Sequence, residues 1–200
     1  MFRKIVPLAL VIGLASLPLR AEKPASFAIN ILEKDAGNVG DDGWVASENL
    51  MGDFTASMPG LYTADVRVFS PSAGEPEKPL SLETMFATSR TGVEVQVTRL
   101  QYVDSTQAKA RYDKLENEPQ VQNRFGVKGF PAFQYENVRA DNSHTEVSRF
   151  ILVQSDIFWM QAEGSDGAEV RKIANHAFDS IQFYEQSPRP RIASPGVQAK

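Results

Sequence analysis

Thr145-Glu146-Val147-Ser148-Arg149-Phe150-Ile151-Leu152-Val153-Gln154, then Ser155-Asp156, then Ile157-Phe158-Trp159-Met160-Gln161-Ala162-Glu163 is the stretch whose pattern decides the fold. Its halves read as two strands joined at a Ser155-Asp156 turn. A strand with one wet face alternates apolar and polar residues. Phe150 to Val153 and Ile157 to Met160 do not alternate; every position is apolar. Both strands are therefore expected inside a sheet with a layer over each face. The reading places the helices on one face and the early strands or loop segments on the other.

Upstream of this pair, Ala132 to Arg139 reads as a strand that turns at Asp141-Asn142. Leu80–Ser89 and Val93–Val103 alternate and form a predicted hairpin, with Gly92 in its turn. Asp104 and Gln107 have capping-box spacing, and Ala108, Arg111, Tyr112 and Leu115 follow as a helical stripe. Gly126 to Gly129 reads as a break. Nearer the amino terminus, Ser26–Leu32 and Asp53–Met58 are predicted strands, while Glu33–Gly43 and Ser70–Pro79 are predicted loops. Downstream, Ala168–Asp179 is the clearest helix, with Val170, Ile173, Ala174, Ala177 and Phe178 on one face. Ser180–Tyr184 closes as a strand. Runs of strands with two helices among them predict α+β, with a mostly antiparallel central sheet and helices packed on it.

The ends of the chain carry a different signal. Arg3 and Lys4 precede an apolar run from Ile5 to Leu19, and Ala21 supplies a small residue at a cleavage point. That is the layout of an export signal, so residues 1–21 are assigned as one. Residues 22–185 are assigned to a single domain. Residues 186–200, with three prolines and no large apolar cluster, are read as a disordered tail. The expected location is periplasmic or secreted, with no membrane span after signal cleavage. Of the 21 basic residues, Arg3, Lys4 and Arg20 lie in the signal, and none of the 25 acidic ones does. Its removal takes the formal net charge from −4 to −7. An acidic chain of this kind disfavours nucleic acid as a partner.

The search for chemistry returns no reaction. With 0 cysteines there is no disulfide, thiolate metal site or thiol nucleophile. Glu163-Gly164-Ser165-Asp166-Gly167 lacks the spacing of a nucleophile elbow; Ser165 and Asp166 read as a loop with a helix cap, and His176 lies beside the apolar stripe of the last helix, so a Ser165, Asp166, His176 set is not assigned. His144 sits in a polar turn, and two histidines without paired spacing do not make a metal site. Asp35, Asp41 and Asp42 lack the alternating oxygens of a calcium loop. Glu116 and Glu118 lie together at a helix end, not across a cleft. No cofactor and no catalytic residue is assigned. Phe125, Phe130, Phe133, Tyr135, Phe158 and Trp159 are mostly expected in the core. The candidate partner surface is Phe130, Pro131, Phe133 and Tyr135, with a second contact through Arg189 and Arg191 in the proline-rich tail.

Three blocks carry a family resemblance. They are Phe54-Thr55-Ala56-Ser57-Met58-Pro59-Gly60, Gly129-Phe130-Pro131-Ala132-Phe133 and Phe178-Asp179-Ser180-Ile181-Gln182-Phe183. In order and spacing they resemble PsbP/Mog1-like domains over roughly residues 52–184. The resemblance implies an α/β/α sandwich and a non-catalytic role, as an accessory subunit of a photosynthetic complex or a binder of a small GTPase. No residue here is specific to either partner, and export argues against the GTPase. The expectation is an exported, soluble, non-catalytic binding or accessory module that contacts another envelope protein. The alternatives are a small-ligand carrier and a hydrolase of unrecognised type.

Overall fold

The computed structural model describes residues 28–32, 39–49, 53–69 and 78–184. Residues 1–21, assigned above as an export signal, much of the Ser70–Pro79 segment and the carboxy-terminal residues with Arg189 and Arg191 lie outside the described residues. In chain order the elements are β1 (Ala28–Leu32), β2 (Val45–Glu48), β3 (Phe54–Met58), β4 (Tyr62–Val68), β5 (Ser81–Thr88) and β6 (Glu94–Gln101). Then come α1 (Ser105–Glu116), β7 (Asn123–Val127), β8 (Phe130–Val138), β9 (Thr145–Val153), β10 (Asp156–Gly164), α2 (Gly167–Asp179) and β11 (Gln182–Phe183).

The chain is α+β. Eight strands form one antiparallel sheet in the order β1-β4-β5-β6-β10-β9-β8-β7, and three more form a small sheet, β11-β3-β2. The doubly apolar pair, β9 and β10, is interior as expected. Successive strand residues point to opposite faces. On β10, Phe158, Met160 and Ala162 join one apolar cluster, which includes the buried stripe of α2 and Phe54, Ala56 and Met58 of the small sheet. Ile157 and Trp159 join the other, with Ala108, Tyr112 and Leu115 of α1. The two helices therefore lie on opposite faces. The expectation of both helices on one side is corrected, since the early strands β2 and β3 share a layer with α2.

Local chemistry sets the element ends. The Asp104 carboxylate accepts from the Gln107 amide at 2.9 Å and starts α1. Asp166 accepts from the amides of Ala168 and Glu169 at 3.0 and 3.2 Å and starts α2. The predicted break at Gly126–Gly129 is a hairpin instead. β7 runs through Gly126, and the turn falls at Lys128 and Gly129, with φ of 53° and 85°. Two consecutive left-handed residues match the right-handed twist of the flanking strands.

Two buried arginines hold the layers together. Arg99 of β6 is 3% exposed. Its Nε donates to Asp156 at 2.9 Å, and its Nη1 donates to Asp53, beside the small sheet. The Glu83 carboxylate lies 3.9 Å from the same Nη1 and accepts from Asn49 Nδ2 at 2.9 Å. Arg149 of β9 donates to Gln134 at 3.1 Å and to Asp179 at the end of α2 at 2.7 Å. Its guanidinium also lies 5.1 Å from the Phe125 ring centre and 5.3 Å from that of Phe178.

Candidate functional site

The predicted surface residues divide between two faces. Phe130 opens β8 directly after the Lys128-Gly129 turn. It is half-buried, and it meets Phe183 of β11 edge to face at 5.6 Å. Pro131 beside it is exposed. Phe133 is fully buried, so it is corrected from contact residue to support. It stacks on Phe150 at 4.9 Å and takes the edge of Tyr112 from α1 at 5.2 Å. Tyr135 is half-buried on the same face as Phe133. Its hydroxyl lies 3.4 Å from Glu146, and burial raises its pKa.

Phe130 stands as a ridge between two grooves. The first, of about 570 Å³, runs between α1 and the sheet and is lined by Ser105, Lys109, Asp113, Pro131, Leu152 and Gln154. The second, of about 340 Å³, lies between β8 and β11 and is lined by Asp53, Lys128, Phe158, Gln182, Phe183 and Tyr184. Tyr184 is 49% exposed, so two rings and a proline reach solvent at one end of the fold.

A third cleft, of about 580 Å³, lies at the end of the fold where three turns converge on α2. The first turn is built by Gly40 and Gly43. Gly40 N–H donates to the Trp44 carbonyl and Gly43 N–H to the Gly40 carbonyl, both at 2.8 Å. The Asp42 carboxylate accepts from the Trp44 amide at 3.0 Å. This fixes Trp44, whose indole stacks on the His176 imidazole at 4.0 Å. The second turn supplies Pro59, Gly60 and Leu61, and the third supplies Ser89, Arg90 and Thr91. From α2 come Glu169, Lys172, Ile173 and His176, which the helical period places on one face. Trp44, Glu169 and Lys172 were not singled out in the sequence, and Ile173 and His176 are read there only with the apolar stripe of the helix. The spacing of 169, 172, 173 and 176 was a usable signal, but the partner turns lie far away in the chain.

The other sequence candidates stay apart. Asp166 caps α2, and His176 is ten residues further along it, about 15 Å at helical rise. Ser165, Asp166 and His176 therefore do not form a catalytic set. His144 Nε2 lies 3.0 Å from Glu163 on the neighbouring strand. Glu116 pairs with Arg124 at 3.5 Å. Among the described residues no group of histidine and carboxylate side chains is placed to hold a metal ion, and no helix is long and apolar enough to cross a membrane.

No family model matches the sequence, and no curated protein matches it. Among solved structures, the chain is similar to a protein of Bacteroides thetaiotaomicron VPI-5482 at a TM-score of 0.46 and 8% identity. That match covers 74% of this chain and 50% of the other, so the chain spans about half its length. It is also similar to LpqN of Mycobacterium tuberculosis, a protein involved in cell envelope biogenesis, at a TM-score of 0.36 and 13% identity. That match covers 80% of this chain and 92% of LpqN.

Proposed function

We propose that this chain is an exported, non-catalytic binding module that docks another envelope protein through the end of its sheet marked by Phe130. The amino-terminal pattern of Arg3, Lys4, the apolar run and Ala21 supports export. The observation that carries the contact is the Phe130 ridge. A half-exposed aromatic between two grooves, beside exposed Pro131 and Tyr184, offers the kind of anchor on which protein interfaces concentrate their energy. The two grooves give a partner side chain a seat on either side of the ring. The PsbP/Mog1-like kinship is part of the same reading, supported by an antiparallel sheet with a helix on each face and by the Pro59-Gly60 turn after β3.

The test starts from crosslinked envelope extract of the source organism. The captured partner is purified and titrated against the chain. Phe130→Asp is expected to weaken binding by about 2 kcal/mol, roughly thirtyfold, as a central aromatic anchor does. Val138→Asp, at an exposed position at the opposite end of β8 from Phe130, is the matched control and is expected to bind normally. Deleting Gln186 to Lys200 asks separately whether Arg189 and Arg191 contribute. Unchanged affinity after both Phe130→Asp and the deletion rejects this surface.

A further inference from the structure

We propose that the cleft between Trp44, Arg90 and α2 is a binding site for a small organic carboxylate with an apolar tail. This goes beyond the docking role, uses the opposite end of the fold, and can fail without it. The apolar part of the argument is exposure. Leu61 is 59% exposed and Val39 is 42% exposed, and both line this cleft beside Trp44 and Pro59. Large apolar side chains at the mouth of a concave site gain by covering an apolar ligand. The volume of about 580 Å³ lies within the range of small-ligand sites.

The charge part rests on what each group already does. Asp42 is occupied with the Trp44 amide at 3.0 Å, and Glu169 faces Lys172 at 3.5 Å. Arg90 makes no ion pair or side-chain hydrogen bond among the described residues. It rests against Gly43, where a Cβ would come within 3.6 Å of the guanidinium carbon. Gly43 has a φ of 85°, so the turn needs glycine there, and its bare backbone gives Arg90 its bed. A planar fork of donors with nothing to hold, at the rim of an apolar cleft, suits a carboxylate, which it can engage with two parallel bonds. The tail of the ligand would then lie against Leu61, Val39 and Trp44.

The test uses octanoate and its neutral isostere octanamide. Trp159→Phe in the full chain leaves Trp44 as the single tryptophan, so its fluorescence reports on the cleft. Octanoate is expected to give a saturable change, with octanamide at least about tenfold weaker, because a charged hydrogen bond is lost. Arg90→Gln is expected to weaken octanoate by about tenfold and to leave octanamide unchanged. Calorimetry on the chain with both tryptophans repeats the titrations, so the result does not depend on the reporter or on tolerance of Trp159→Phe. No saturable octanoate heat up to millimolar ligand overturns the proposal. So does equal affinity for octanamide, and so does octanoate affinity unchanged by Arg90→Gln.

Discussion

Tyr112 of α1 is 2% exposed, and its hydroxyl is buried with no hydrogen-bond partner among the described residues. A buried polar group without a partner costs about 1–3 kcal/mol. Tyr112→Phe is therefore expected to leave stability unchanged or raise it by about 1 kcal/mol in urea unfolding. The same burial, with Glu116 and Asp113 nearby, pushes the phenol above the usual tyrosine range. The folded state thus favours the protonated form. Its contribution is fully present below the unfolded pKa of about 10 and is lost as pH rises beyond it. Tyr112→Phe is expected to flatten the alkaline limb of stability above about pH 10, and an identical limb in the variant would sink this assignment. Other single-residue outcomes were legible by parity. Phe130 and Phe133 are three apart on one strand, so a period of two sends them to opposite faces. Phe130 faces the α2 layer and Phe133 faces α1, and a shared surface was excluded by that count alone.

The elements were legible where a strong periodicity met a cap. Helix α2 has both, with a buried stripe at Val170, Ile173, Ala174, Ala177 and Phe178 and the Asp166 cap before it. Asp166→Ala is expected to cost about 1 kcal/mol, seen as a lower urea midpoint with an unchanged slope. A loss below about 0.3 kcal/mol would mean that the packed stripe alone holds the first turn. Three strands were missed for physical reasons. In β2 the inward pair is Val45 and Ser47, and the serine hides the alternation because its hydroxyl is satisfied by the Ala56 carbonyl at 2.6 Å. In β4 the inward pair is Tyr62 and Ala64, too small an apolar signal ahead of Asp65 and Arg67. In β7 every side chain but the last is exposed, so an edge strand with Gly126 carried no pattern at all. The cleft was illegible for the related reason that its walls come from turns, and turns announce their backbone but not their neighbours.

At the scale of the molecule, the small sheet and the large one are joined through charge as well as through the apolar core. Arg99, Glu83 and Asp156 belong to the large sheet, while Asp53 and Asn49 flank the strands of the small one. The sequence shows Arg99 only as one more member of an alternating strand, in line with Val93, Val95 and Val97. Nothing local says that it is buried or which three carboxylates surround it, because those come from positions 53, 83 and 156. Removing one partner from a buried charge group is strongly unfavourable, because the opposite charges stay behind without water. Arg99→Met keeps the volume and removes the guanidinium from Asp53, Glu83 and Asp156. It is expected to lower unfolding free energy by about 3–5 kcal/mol in urea. The loss should persist in high salt, since ions screen a buried group weakly. Hydrogen exchange separates a tether from a general weakening. If Arg99 ties the small sheet down, amides of β2 and β3 exchange faster than those of β9 and β10 by more than the global loss explains. Uniform acceleration across both sheets would make Arg99 a core residue of the large sheet alone. A loss below about 1 kcal/mol would show that apolar packing of Phe54 and Met58 holds the small sheet without the charges.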